Sequence, residues 1–232
     1  MIQIRTFVAP DEPETCGKFI EGHRKLLEIF GITKITSNRQ DWVDDEKTIV
    51  IVVEDSETKN VYGGARLQIV SGKYKLPIEI ALGRYDEGIF TMVNNDHLNG
   101  GTCELCGLWN SREIAGFGVG SYILARVGAV VAAQLPVQSI FVLCAPITVK
   151  MGRRVGAVVE ATLGNQGLFY YPKDDLVATA MRLRNIYDLS TADEHEREKI
   201  LALREEPYQI MEEKGPKGSL MVSYNLKVPN LR

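Results

Sequence analysis

The residues of this chain most suited to chemistry are three glycines, Gly116, Gly118 and Gly120, set between two apolar stretches. Before them, residues 105–109 alternate and favour β-structure, which predicts a strand. After them, residues 122–135 form an Ala-, Leu- and Val-rich run in which Arg126 is the one charged residue, and this predicts a buried helix. A strand, a glycine turn and a helix together make an anion cradle. Glycine lets the backbone come close to a ligand, and the unpaired N–H groups of the helix start point at its phosphates. The equal alternative is a tight strand-to-helix turn whose glycines serve packing. Spacing removes two phosphate schemes. A P-loop requires Lys and then Ser or Thr after its last glycine, whereas Gly120 is followed by Ser121-Tyr122. A dinucleotide fingerprint requires glycine at 121 and an acidic end to the next strand, which here ends in Cys144-Ala145-Pro146.

Other reactive residue types give less. Cys103 and Cys106 have the spacing of half a zinc site, but no second Cys/His pair follows. On a regular strand the two also face opposite sides, so no metal is expected. His23, His97 and His195 are scattered and read as surface or core side chains, and Phe169, Tyr170 and Tyr171 as core aromatics.

These residues need a scaffold, and composition bounds it. The 232 residues are 45% hydrophobic and 25% charged, enough to bury a sizeable core as one domain spanning 1–232, elaborated from about residue 172. A net charge of −3 and no basic face argue against nucleic acid as a partner. No apolar run reaches the length of a membrane span, no signal peptide is apparent at the start, and four cysteines fit a reducing compartment; a cytoplasmic protein is expected.

Along the chain, residues 2–8 predict a strand and 13–30 a helix with Phe19, Ile20, Leu26, Leu27 and Phe30 on its apolar side. Residues 48–53 and 61–70 predict a hairpin. A short helix is expected near 78–82 and a loop over 94–101. Beyond the glycines come a strand at 137–143, a helix at 147–155 and a strand within 158–171. A charged surface helix at 192–206 and a final strand at 219–228 complete the reading. The pattern alone gives an α/β or α+β arrangement on a mixed sheet.

The run Gly116-Phe117-Gly118-Val119-Gly120-Ser121-Tyr122-Ile123-Leu124 resembles the pyrophosphate loop of the GNAT acyltransferase superfamily, Gln/Arg-x-x-Gly-x-Gly/Ala at a strand–helix junction. Gly118 and Gly120 fill the glycine slots, and Ala115 stands in the first slot with Arg112 three residues earlier. Over 24–156 the chain is similar to the acyl-homoserine-lactone (autoinducer) synthases and the kindred N-acyl-amino-acid synthases. Arg24, Asp41-x-x-Asp44, Gly63-Gly64-Ala65-Arg66-Leu67 and Glu104 carry this likeness. Gly107 stands where their Glu-x-x-Arg motif has arginine, which speaks against homoserine-lactone chemistry on S-adenosylmethionine.

The resemblance implies a GNAT fold, a mixed and mostly antiparallel central sheet flanked by helices. It implies an N-acyltransferase that moves an acyl group from acyl-CoA or acetyl-CoA to a small-molecule amine, by direct attack in a ternary complex. Glu104 would be the base, and burial would raise its pKa to suit that task. Backbone groups of Leu108 and Asn110 would hold the pantetheine arm, and the amides of Phe117, Gly118, Val119, Gly120 and Ser121 the pyrophosphate. Arg24, Asp41, Asp44 and Arg66 would bind substrate, or else form an ion-pair network bracing helix against hairpin. The slot that often supplies a tyrosine acid holds Gly152. Two alternatives stand beside this one. In one, the donor is acyl carrier protein docking near Arg112, Arg153 and Arg154, and the product is an N-acyl amino acid or signal lipid; in the other, the domain binds an acyl thioester without turnover.

Overall fold

Strand-forming sequence dominates the first half of the chain, and its longest apolar run lies at the centre of the sheet. The computed structural model describes residues 1–228. In chain order, its first half contains β1 (Ile2–Val8), α1 (Pro13–Ile29), β2 (Thr48–Asp55), β3 (Val61–Ile69), α2 (Pro77–Leu82), α3 (Gly88–Leu98) and β4 (Thr102–Asn110). There follow α4 (Ser121–Ala132), β5 (Ser139–Cys144), α5 (Pro146–Arg154), β6 (Val158–Val159), β7 (Leu168–Tyr170) and β8 (Val177–Leu183). The chain closes with α6 (Glu194–Glu205), β9 (Tyr208–Gly215) and β10 (Gly218–Asn225). The strands form one sheet in the order β6-β8-β5-β4-β3-β2-β1-β10-β9, with β7 on β8. Pairing is antiparallel except between β4 and β5 and between β1 and β10. Thus β2, whose Ile49 to Val53 are fully buried, is covered on both faces, as a continuous apolar strand requires.

The helices divide between the faces. Proline opens α1, whose buried stripe is Cys16, Phe19 and His23 at i, i+3 and i+7. It lies over β3 and β4, with Phe19, Trp42 and Trp109 packed edge to face. Helix α4 covers the other face, and the missing side chain of Gly128 admits Leu105.

Two irregularities in β4 shape the centre. Its parallel pairing with β5 lasts for three residues only: Thr102 with Ser139, Cys103 with Ile140, Glu104 with Phe141. Past that point β4 bonds only to β3 and β5 only to β8, so the sheet splits open beside Glu104. A bulge then falls between Cys106 and Trp109, where Gly107 takes φ +62°. Only glycine adopts that conformation without strain. The extra residue leaves Trp109 on the α1 face with Glu104 and Cys106, while Cys103, Leu105 and Leu108 face α4.

Several expectations change. Residues 94–98 belong to α3 rather than to a loop, because Ile89 and Val93 anchor the helix on its buried side despite the Asn-Asn-Asp sequence. The strands β8 and β9 were not expected. Helix α6 is more than a surface helix, since Glu196, Ile200 and Leu203 are buried. Phe30 is exposed just beyond α1, and Phe169, Tyr170 and Tyr171 are not a common cluster, because Tyr170 points outward.

Candidate active site

Where β4 and β5 part, a cavity of about 520 Å³ runs through the sheet. On the α1 face its walls include His23, Pro77, Glu104 and Tyr171; on the α4 face they include Ala125, Ala129 and Val155. Ser121, at the start of α4, borders it, and the exposed Phe30 and Ile147 form an apolar rim.

Glu104 is the one carboxylate on this wall. It sits opposite Gln68 on β3 and is 2% exposed. Its Oε2 accepts the Ile78 N–H at 2.7 Å, while Oε1 has no hydrogen-bond partner among the described residues. Burial pushes its pKa up to about 8, against the opposing effects of the Ile78 N–H and the Arg66 charge; nearby Glu79 raises it further. The group therefore exchanges its proton near neutral pH, as a general base must.

Arg66 is fully buried beside it. Nε donates to Gln68 Oε1 at 3.1 Å, Nη2 donates to the Ser37 carbonyl at 2.9 Å, and the guanidinium stacks 4.7 Å from the Trp42 ring centroid. It makes no ion pair among the described residues. A Cβ at Gly107 would lie 2.4 Å from Arg66 Nη1. Glycine at 107 therefore leaves the room that the Arg66 guanidinium occupies.

His23, read from sequence as a core or surface residue, borders the same cavity and is 4% exposed. Neither ring nitrogen has a hydrogen-bond partner among the described residues. Burial, then the Arg66 charge, moves its pKa down to about 4, so the imidazole is neutral at pH 7. The signal for it was present but faint: a polar residue on the buried stripe of an amphipathic helix. Tyr171 also borders the cavity, but its hydroxyl is engaged, accepting the Thr36 N–H at 2.6 Å and donating to Thr36 Oγ1 at 2.8 Å.

The glycine turn has two parts. Gly116 and Gly118 have φ of +93° and +87°, and both face the β9–β10 turn. Lys217 N–H donates to the Gly116 carbonyl at 2.8 Å, and a Cβ at Gly118 would stand 2.7 Å from the Lys214 backbone. Val119 is buried in the core, and Phe117 lies against Gly218. The first two glycines therefore serve the close approach of two chain segments. Gly120 faces open space, and Asn110 Nδ2 donates to Ser121 Oγ at 3.2 Å, tying the end of β4 to the start of α4. Arg154 stacks 4.8 Å from the Tyr122 ring centroid nearby. Leu108 borders the cavity on the edge of β4 that has no partner strand past Glu104.

The four residues expected to bind substrate are not brought together. Arg24 is half-exposed and pairs with Glu21 and Glu28 on its own helix. Asp41 pairs with Arg39, and Asp44 is exposed. None of these three borders the cavity, and none pairs with Arg66, so the bracing network does not form either. Cys103 and Cys106 are free, buried and on opposite faces, and no group of three metal-ligating side chains occurs among the described residues. No helix of the described residues is long and apolar enough to cross a membrane.

No family model and no curated protein matches this sequence. Its fold does match solved structures. One is FeeM, an N-acyl amino acid synthase from uncultured soil microbes, at TM-score 0.61 and 13% identity, covering 83% of this chain and 94% of that one. Another is the CoA-dependent acyl-homoserine lactone synthase BjaI with SAM and isopentyl-CoA, at TM-score 0.53 and 14% identity, covering 100% and 95%. A third is Escherichia coli ElaA, at TM-score 0.53 and 8% identity, covering 78% and 99%. At such identities the likeness is one of architecture, and by its strand order, its split sheet and these matches the chain has the GNAT acyltransferase fold.

Proposed function

We propose that this chain is an N-acyltransferase that moves an acyl group from a CoA-type thioester to an amine by direct attack in a ternary complex. The observation that carries this reading is the cavity through the β4–β5 split, which joins the start of α4 to a buried carboxyl that titrates near neutrality. The amine binds as an ammonium on the α1 side, and ionised Glu104 takes its proton. The free amine attacks the thioester carbonyl, whose oxygen is polarised by a backbone N–H on the unpaired edge of β4 near Leu108. Collapse of the tetrahedral adduct breaks the C–S bond, and the departing thiolate takes up the nitrogen's second proton as the amide forms. The apolar walls on the α4 side hold the acyl chain, and the amides of Gly120 and Ser121 hold phosphate. That FeeM makes N-acyl amino acids and that BjaI uses a CoA thioester both support the reading.

One observation favours a second donor. The β9–β10 turn covers Gly116 and Gly118, so fewer amides face a pyrophosphate than the glycine run promises. A carrier-protein donor brings a single phosphate, and the exposed Arg112, Arg153 and Arg154 would meet its acidic surface.

Isothermal titration with acetyl-CoA, a long-chain acyl-CoA and an acylated carrier protein, followed by an amine panel, tests both readings. Binding of a CoA thioester and transfer that vanishes in Glu104→Gln are expected. Binding to the acylated carrier protein alone would move the assignment to the second donor. Binding without transfer to any amine would leave a thioester-binding domain and overturn the enzyme.

A further inference from the structure

Buried polar side chains in folded proteins find hydrogen-bond partners, and one without them points to a ligand. Within this cavity that side chain is His23. It projects from α1 one helical turn beyond Phe19, whose ring would lie 3.5 Å from a Cβ at Gly107, and so stands over the part of β4 that carries Cys106 and Glu104. It touches Phe19 ring to ring and is 4% exposed as a residue, and both its nitrogens open onto the cavity with no partner among the described residues.

We propose that His23 reads the acceptor: its imidazole donates a hydrogen bond to an oxygen, hydroxyl or carboxylate, carried by the amine whose nitrogen is held by Glu104. This rests on the acyltransferase reading and adds to it the class of amine, one that also bears oxygen. The geometry also divides the cavity. Besides Thr36 and Ser37, the cavity wall carries His23 and Glu104, whereas its walls at Ala125, Ala129, Ile140, Val155 and Leu183 are aliphatic. A polar acceptor therefore fits the first side and the acyl chain the second. A neutral imidazole suits binding rather than acid catalysis, since it has no spare proton for the leaving thiolate at pH 7.

The test uses decanoyl-CoA as donor and three amines, ethanolamine, glycine and n-propylamine, the last lacking oxygen. In transfer assays, wild-type protein should prefer ethanolamine or glycine over n-propylamine by about 10- to 100-fold in kcat/KM, the range of one buried hydrogen bond. His23→Phe should erase that preference, lowering kcat/KM for ethanolamine and glycine by about 10- to 100-fold more than for n-propylamine and leaving the decanoyl-CoA KM within about twofold. His23→Gln, which keeps a donor, should recover part of it. A preference that survives His23→Phe, or an equal loss for all three amines with a lowered Tm, would overturn the proposal while the transferase reading stands. A second readout does not need turnover. In ¹⁵N-imidazole-labelled protein loaded with decanoyl-CoA, the His23 resonances, identified by their absence from His23→Phe, should shift with ethanolamine or glycine and not with n-propylamine. A shift without transfer would sink the transferase reading and keep the site; transfer with unmoved His23 resonances would do the reverse.

Discussion

Glu104 differs from an ordinary strand glutamate in where its proton goes on folding. The unfolded carboxyl ionises above about pH 4.5 and the folded one only near pH 8, so between these values folding takes up a proton. Stability should accordingly fall as pH rises from about 4.5 to 8 and level off above. Glu104→Gln should abolish that slope, stabilising the protein more at pH 9 than at pH 5, as followed by denaturant midpoints. In the same window the acceptor kcat/KM should climb as the base ionises, reaching a plateau above about pH 8, and Glu104→Gln should lower it about 10²- to 10⁴-fold. His23 works with the opposite sign: its pKa is depressed to about 4, so acidification from about pH 6.5 to 4 should destabilise the fold, and His23→Phe should flatten that limb. Glu104 was singled out through the likeness to the GNAT motif strand, while its burial at the split in the sheet belongs to the fold. His23 was not, since one polar residue in a helical stripe says nothing about the cavity opposite. That Gly107 makes room for the Arg66 guanidinium is visible only in the register of β3 on β4.

At the scale of elements, the glycine turn separates into positions with different work to do. Gly118 has φ +87° and no space for a Cβ against Lys214, so Gly118→Ala should destabilise by about 1–3 kcal/mol and weaken thioester binding by dislodging the β9–β10 turn. Gly120 is extended and faces open space, so Gly120→Ala should leave the Tm within about a degree. Thermal melts and thioester titration of the two variants check the contrast. The strands β1 to β3 and helix α4 were legible because alternation and long apolar runs are properties of single segments. The strands β8 and β9 were not: β9 is an edge strand rich in Glu and Lys, and its strand form comes from its partner β10 rather than from its own residues. The anion cradle was half legible, because the same glycine spacing serves a phosphate and a neighbouring chain equally well.

At the scale of the whole molecule, a buried charge joins the middle of the chain to its last part. Arg126, in the middle of α4, donates to both oxygens of Glu196 on α6 and, at 2.9 Å, to Glu213 on β9, which also accepts the Tyr224 hydroxyl at 2.7 Å. Arg126→Met would leave Glu196 buried without its cation and Glu213 with Lys199 alone, and should cost about 3–5 kcal/mol, measured by urea unfolding; replacing Arg126 and Glu196 together by apolar residues of similar volume should recover part of it. The parallel pairing of β10 with β1 closes the same circuit through the sheet. One consequence concerns the order in which the molecule can be made. Glu196 and Glu213 lie 70 and 87 residues after Arg126, so a nascent chain leaves the ribosome with its cation long before its counter-ions. Until they arrive, docking α4 onto the sheet buries an unpaired charge. The apolar helix should therefore stay undocked and open to chaperones and proteases throughout that interval, with folding of the split sheet completed only once α6 and the β9–β10 hairpin have emerged.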